Sequence, residues 1–164
     1  MSARPGLRDL SDPMVLLSTW GGSGLLRPAP GTWGSLAALP PGLLILATGG
    51  GWALTFGALA VLIVGVFSSN ATMKRFASHD PGYIVIDEVA GLWIALIASN
   101  GEWPLVLLAF ILFRLFDILK PWPVGWADRH LEGGIGVMAD DVLAGLYALG
   151  GTWAGAALWE ALNV

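Results

Sequence analysis

One stretch of this sequence, residues 28–73, contains no Asp, Glu, Lys, Arg or His. It is 46 residues long, and a membrane-spanning helix needs about 20 apolar residues. Three consecutive glycines at 49–51 lie near its middle and predict a tight turn. The stretch therefore predicts a hairpin of two helices, over residues 33–48 and 52–70. Two adjacent prolines at 40–41 are expected to kink or break the first helix.

Three further segments are largely uncharged and predict helices over residues 81–99, 103–119 and 142–159. Asp80 precedes a proline and suits the N-cap of the first of these helices. The charge-free run that follows residue 141 predicts that the acids before it open the last helix. Together these segments predict an all-α fold, a membrane-embedded bundle of about five short helices.

The composition agrees with a membrane protein. Only 12% of the residues are charged, against about 25% in soluble domains. A soluble helical domain with a large apolar core is the alternative, because shorter apolar runs also suit buried helices. The absence of Cys excludes thiolate metal sites and a cysteine nucleophile. The net charge of −4 argues against a nucleic-acid partner.

The charges are expected to gather on one side of the bilayer. If the predicted helices cross it back and forth, residues 1–32, 71–88 and 114–141 share one side. All eight Lys and Arg residues lie in these segments, so the positive-inside rule makes that side cytoplasmic. Residues 1–14 are then an N-terminal cytoplasmic tail, and residues 15–164 form a single helical membrane domain.

Five acids lie in apolar or tightly patterned contexts at the cytoplasmic helix ends: Asp87, Glu88, Asp117, Asp140 and Asp141. Ionisable residues at membrane depth are costly, so each indicates a function. Facing helices of a bundle often supply the ligands of one metal site. Oxygen ligands without Cys favour a hard cation such as Mg²⁺. Alternatively, single acids cap a helix, as Asp140 could, or pair with a neighbouring Arg.

Three basic residues, Arg114, Lys120 and Arg129, are interspersed with these acids. Arginine and lysine suit contact with phosphate oxygens. Cations, metal-binding carboxylates and lipid headgroups at one interface together indicate phosphate chemistry on a lipid. Arg114 could instead pair with Asp117 at i,i+3, and Arg129 could be an ordinary cytoplasmic anchor.

A stretch rich in Gly and Pro precedes the first long helix, over residues 21–35. Such a backbone can hold an anion at a helix N-terminus, which makes Thr32 and Ser35 candidates for phosphate binding. Either residue could equally serve as a plain N-cap. The stretch lacks the Gly-Lys-Ser/Thr ending of a nucleotide-binding loop.

The sequence resembles the phosphatidylglycerophosphatase A family of bacteria. The resemblance covers most of residues 15–150 and rests on long motifs in the same order. The matching stretches are residues 22–25, 30–40 (PGTWGSLAALP), 84–93 (IVIDEVAGLW), 113–123 (FRLFDILKPWP) and 133–145 (GGIGVMADDVLAG).

The resemblance implies an all-helical, multi-pass enzyme of the bacterial inner membrane with its active site facing the cytoplasm. The resemblance also implies that the enzyme is Mg²⁺-dependent and converts phosphatidylglycerophosphate to phosphatidylglycerol and inorganic phosphate. The five acids fall in family motifs, and they are expected to hold one or two Mg²⁺ ions. We expect Asp87, Glu88, Asp117, Asp141, Arg114 and Lys120 to be catalytic, with the two cations neutralising charge on the phosphate.

A second function is compatible with the same residues. A small membrane transporter or channel subunit could use the acids to bind a cation, without phosphatase activity. Such a protein would need acids near the bilayer midplane. The acids here lie at predicted helix ends beside basic residues, which favours headgroup chemistry. The sequence does not determine an oligomeric state.

Overall fold

The computed structural model describes residues 4–78 and 81–162, and these residues contain helices and no β-strand. The predicted all-α class is therefore confirmed. The α-helices are α1 (Pro13–Ser18), α2 (Pro30–Phe76), α3 (Ile86–Leu96), α4 (Trp103–Leu119), α5 (Val124–His130) and α6 (Gly133–Leu162). Short 3-10 helices occupy Leu7–Ser11, Ser23–Leu25 and Ile97–Ser99.

Helix α2 is a hairpin of two arms. Gly50 has φ of 68° and ψ of −171°, a conformation that interrupts the helix and that glycine adopts without a Cβ penalty. The two arms pack against the same side chain, that of Trp93. A Cβ added at Gly42 would lie 2.6 Å from Nε1 of Trp93, and one added at Gly57 would lie 3.2 Å from the Trp93 ring. The turn predicted at the three glycines is thus confirmed.

The two adjacent prolines do not break the first arm. Gly50 is the interior residue of α2 with non-helical dihedrals, so Pro40 and Pro41 lie in continuous helix. The fixed φ of proline, about −65°, is itself helical. The Trp93 indole also donates a 2.9 Å hydrogen bond to the Ala38 carbonyl in the same turn. Of the predicted kink or break, the break is therefore wrong.

Helix α3 is the central helix, since apolar residues around its whole circumference are buried. It begins at Ile86, so the start predicted at residue 81 is wrong. The Val85 backbone N–H donates to the Ser18 carbonyl at 2.9 Å, which uses a group that an earlier helix would need. Asp80, the predicted N-cap, lies outside the described residues.

Helix α6 begins nine residues before its predicted start. The Gly134 N–H donates to Oδ1 of Asn70 on α2 at 2.7 Å, so a distant side chain satisfies the helix N-terminus. Asp140 and Asp141 consequently lie well inside α6, and the predictions that they open or cap it are wrong. The 47 residues of α2 are divided between two arms, whereas α6 has 30 residues and is longer than the short helices predicted. Both are long and apolar enough to cross a membrane.

Candidate active site

An open cavity of about 780 Å³ lies at one end of the bundle. Its walls come from the end of α2, the start of α3, the end of α4, and the adjoining parts of α5 and α6. Seven carboxylates and two lysines line it within the described part of the chain. The acids are the five predicted ones with Asp128 and Glu132, and the cations are Lys74 and Lys120. This excess of negative charge favours a bound cation.

Three of these acids meet at the closest point, and we name them the acid cluster: Asp87, Glu88 and Asp141. One carboxylate oxygen from each lies within 4.8 Å of the other two. Ligand oxygens around an octahedral Mg²⁺, bound at about 2.0–2.1 Å, lie about 3–4 Å apart. The Oε2 atom of Glu88 is buried and has no hydrogen-bond partner among the described residues. The cluster therefore fits a small hard cation with little rearrangement.

Close backbone contact between α3 and α6 brings the acid cluster together. A Cβ added at Gly91 would lie 2.6 Å from the Asp141 carbonyl. Gly145 lies one turn beyond Asp141, and its Cβ would lie 2.9 Å from the Cα of Gly91. Only residues without a side chain allow this approach. The two glycines thus fix the distance between the helices that carry the three acids.

Arg114 lies behind the acids and not at the cavity wall. Its NH1 atom is 2.7 Å from Oδ2 of Asp117 and 4.0 Å from Oε1 of Glu88. The same atom donates a 3.4 Å hydrogen bond to Oγ of Ser35. The alternative pairing of Arg114 with Asp117 at i,i+3 is thus present. In this arrangement the guanidinium orients two acids that the sequence assigned to the metal site.

Lys120 lies at the cavity wall between two carboxylates. Its Nζ atom is 2.8 Å from Oδ2 of Asp140 and also forms an ion pair with Asp128. Burial lowers the pKa of Lys120, but the hydrogen bonds to Asp128 and Asp140 outweigh this effect and raise the pKa above its ordinary value. The ammonium is therefore charged at neutral pH and fixed beside the acids.

The remaining predicted phosphate-binding residues do not line the cavity. Thr32 is half-buried in the first turn of α2, and Arg129 is exposed on α5. Ser35 is fully buried, and its hydroxyl donates to the Gly31 carbonyl at 2.9 Å. No described contact joins these three side chains to the acid cluster, and their roles in phosphate binding stay predictions.

Sequence reasoning missed several residues of the site. Asp128 stands next to Arg129 and His130 in a polar run, so its sequence context resembles a solvated surface. Lys74 belongs to the positive charges expected at any cytoplasmic helix end. Gly31 is packed so closely against Glu88 that an added Cβ would lie 3.2 Å from the Glu88 Cδ atom. Only the Gly-rich motif around residue 31 signalled that contact.

The ion pair of Lys120 with Asp128 gives a first testable prediction. In Asp128→Asn one of the two carboxylates that position the ammonium loses its charge. We expect the turnover rate of the protein to fall about tenfold, because residues that orient a functional side chain typically have effects of this size. Asp128→Glu is expected to recover part of the loss. Glu102→Gln, which removes an exposed charge at the opposite end, is the matched control. Equal rates for both neutralising variants would contradict a positioning role for Asp128.

Comparison with known proteins identifies relatives along most of the chain. The family model for phosphatidylglycerophosphatase A matches residues 16–156. A phosphatidylglycerophosphatase A of Haemophilus influenzae is 46% identical over 142 residues, which cover 85% of this chain and 86% of that protein. The phosphatidylglycerophosphatase A of Escherichia coli is 41% identical over 143 residues, covering 86% and 82% respectively.

A third relative carries a different substrate in its name. A protein of Bacteroides thetaiotaomicron, described as a candidate phosphatidylinositol-3-phosphatase, is 41% identical over 143 residues, which cover 82% of this chain and 87% of that protein. No solved structure matches the chain. The names of all three relatives are those of lipid phosphatases.

Proposed function

The chain belongs to the phosphatidylglycerophosphatase A family of phosphatases, and on that basis we propose that it removes the terminal phosphate of phosphatidylglycerophosphate. The acid cluster at the wall of a wide cavity is the observation that carries this proposal. Buried carboxylates beside fixed cations suit phosphoryl transfer, in which positioning and electrostatics supply most of the catalysis. Phosphatidylglycerol and inorganic phosphate would be the products.

We propose that Mg²⁺ is the cofactor and that Asp87, Glu88 and Asp141 would hold it. The mutual distances of their oxygens and the unpartnered Glu88 Oε2 support this assignment. A bound Mg²⁺ would supply Lewis-acid polarisation of the phosphoryl oxygens. Asp117 and Asp140 line the same cavity outside the acid cluster, and each is paired with a cation.

The chain's own residues would divide the remaining tasks. Lys120, held by Asp128 and Asp140, would place its ammonium beside a phosphoryl oxygen and stabilise the negative charge there. Arg114 would act behind the site and keep Glu88 and Asp117 oriented, as groups outside the coordination sphere do. Direct attack by water is preferred to a covalent aspartyl-phosphate, because the sequence has no Asp-x-Asp-x-Thr/Val motif.

We propose that the bundle is embedded in the bacterial cytoplasmic membrane with the cavity facing the cytoplasm. Exposed apolar side chains on the helix surfaces, including Phe56, Ile63, Phe67 and Ile111, support contact with lipid. Exposed Trp residues lie towards both ends, as in the aromatic belts of membrane proteins. Those near the cavity are Trp33, Trp122 and Trp126, and those near the opposite end are Trp52, Trp103 and Trp153.

The substrate is tested with a panel of phospholipids in micelles of an uncharged detergent. Initial rates of phosphate release are measured for phosphatidylglycerophosphate, phosphatidic acid and phosphatidylinositol 3-phosphate. We expect kcat/KM for phosphatidylglycerophosphate to exceed that for each other lipid at least about tenfold, a difference of about 1.4 kcal/mol in transition-state binding. An equal or higher value for phosphatidylinositol 3-phosphate would overturn the proposed substrate.

A further inference from the structure

The end of α2 and the residues that follow it form part of the cavity wall. The lining residues are Asn70, Met73 and Lys74 at the end of α2, followed by Ala77 and Ser78 directly after the helix. Lys74 is the cation of this part of the wall, it is exposed, and it forms no ion pair with any described residue. Its ammonium is therefore available to an anion that enters the cavity.

The other cations near the acids already have carboxylate partners. Lys120 is paired with Asp128 and Asp140, and Arg114 is paired with Asp117. Lys74 comes from a different helix than the acid cluster, which lies on α3 and α6. The cavity wall thus carries the acid cluster on α3 and α6, and on α2 a lysine without an ion-pair partner among the described residues.

The backbone that carries Lys74 is held in place on both sides. Oδ1 of Asn70, one turn earlier, accepts from Gly134 N at 2.7 Å, and Oγ1 of Thr72 lies 2.8 Å from Oγ of Ser18. These buried or half-buried contacts fix the end of α2 against α1 and α6. The long side chain of Lys74 extends from this anchored backbone, and a lysine ammonium suits a point-charge contact with a phosphate group.

We propose that Lys74 binds the phosphodiester of the lipid headgroup while the terminal phosphate lies at the acid cluster. This inference rests on the proposed function, whose substrate carries two phosphate groups separated by one glycerol. A cavity of about 780 Å³ lies within the range of about 300–1,000 Å³ found for small-molecule sites, and it holds more than a single phosphate. Lys74 would then recognise the lipid headgroup as such.

The diester does not react, so its contact with Lys74 has equal strength in the bound substrate and in the transition state. Losing such a contact raises KM and leaves kcat unchanged. Phosphatidylglycerol keeps the diester and lacks the terminal phosphate, whereas inorganic phosphate represents the terminal group alone. As competitive inhibitors these two compounds probe the two parts of the cavity separately.

The test measures kcat and KM for phosphatidylglycerophosphate, and Ki for phosphatidylglycerol and for inorganic phosphate. In Lys74→Ala we expect KM and the Ki of phosphatidylglycerol to rise about tenfold, equal to about 1.4 kcal/mol. The kcat and the Ki of inorganic phosphate are expected to stay within about twofold of wild type, as uniform binding requires. Lys74→Arg keeps the charge and should retain most of the affinity.

Arg8→Ala is the matched control, because it removes an exposed positive charge outside the cavity. An equal rise of KM in Arg8→Ala would overturn the inference and show general attraction of anionic lipid. An unchanged Ki for phosphatidylglycerol in Lys74→Ala, or an equal rise in the Ki of inorganic phosphate, would also overturn it. A wild-type protein that releases no phosphate would overturn the proposed function, and the inference with it.

Discussion

Asp141→Asn is expected to lower the rate of phosphate release at least about 100-fold. Asp141 is a proposed direct metal ligand, and losing such a ligand should exceed the 10–100-fold effect of groups outside the coordination sphere. Asp141 is 3% exposed, and its carboxylate is part of the acid cluster. Asparagine has nearly the same volume, so packing against α3 is retained. The rate on phosphatidylglycerophosphate in excess Mg²⁺ measures the effect.

The same variant should raise the melting temperature of the metal-free protein, whereas most substitutions at buried residues lower it. Without a metal, the three neighbouring carboxylates of the acid cluster repel one another, and Asp141→Asn removes one of the charges. We therefore expect the variant to melt at a higher temperature than wild type in EDTA. At a Mg²⁺ concentration 100 times the Kd, the metal should stabilise folded wild type by about 2.7 kcal/mol. The variant should be stabilised less.

Glu102→Gln serves again as the control, because it removes an exposed carboxylate far from the cavity. It should change neither the rate nor the response of the melting temperature to Mg²⁺. Full activity in folded Asp141→Asn would remove Asp141 from the metal site. A melting temperature of wild type that does not respond to Mg²⁺ would contradict the proposed cofactor.

The second large effect is expected from a single methyl group at the contact between α3 and α6. A Cβ at Gly145 would lie 2.9 Å from the Cα of Gly91 and closer still to its carbonyl oxygen. Gly145→Ala must therefore push the two helices apart and move Asp141 away from Asp87. Overpacking of this kind costs about 1–3 kcal/mol, and a misplacement of about 1 Å can lower a rate 100-fold.

Gly150→Ala in the same helix is the matched control for this prediction. A Cβ there would have no atom within 4 Å, and alanine favours helix over glycine by about 1 kcal/mol. Gly150→Ala should therefore keep wild-type activity and an equal or higher melting temperature. Gly145→Ala should have a lower activity and a lower melting temperature than wild type. Equal behaviour of the two variants would show that the close approach does not position the acids.

The sequence predicted those features that depend on local pattern. The charge-free run and the glycine triplet were sufficient for the hairpin of α2, and the boundaries of α4 agree with the predicted residues 103–119. The five acids were grouped correctly at one end of the bundle, since alternating helix directions bring them there. This reasoning needs only the order of apolar and charged segments along the chain.

Features that depend on contacts between distant residues were beyond such reasoning. The start of α6 depends on Asn70, which lies 64 positions before Gly134, and no local signal links the two residues. The start of α3 is delayed by a hydrogen bond from Val85 to Ser18. Asp128 joins the site only because α5 turns it towards Lys120. In each case a tertiary contact outweighs the local preference of the chain.

The most direct test of the account is phosphate release from phosphatidylglycerophosphate by purified protein in detergent micelles. The rate is measured in Mg²⁺, after addition of EDTA, and after Mg²⁺ is restored in excess. The account predicts release in Mg²⁺, a fall to the background without enzyme in EDTA, and recovery when Mg²⁺ returns. An unchanged rate in EDTA would contradict a catalytic metal at the acid cluster. No release under any condition by folded protein, together with cation flux in proteoliposomes, would favour the transporter alternative.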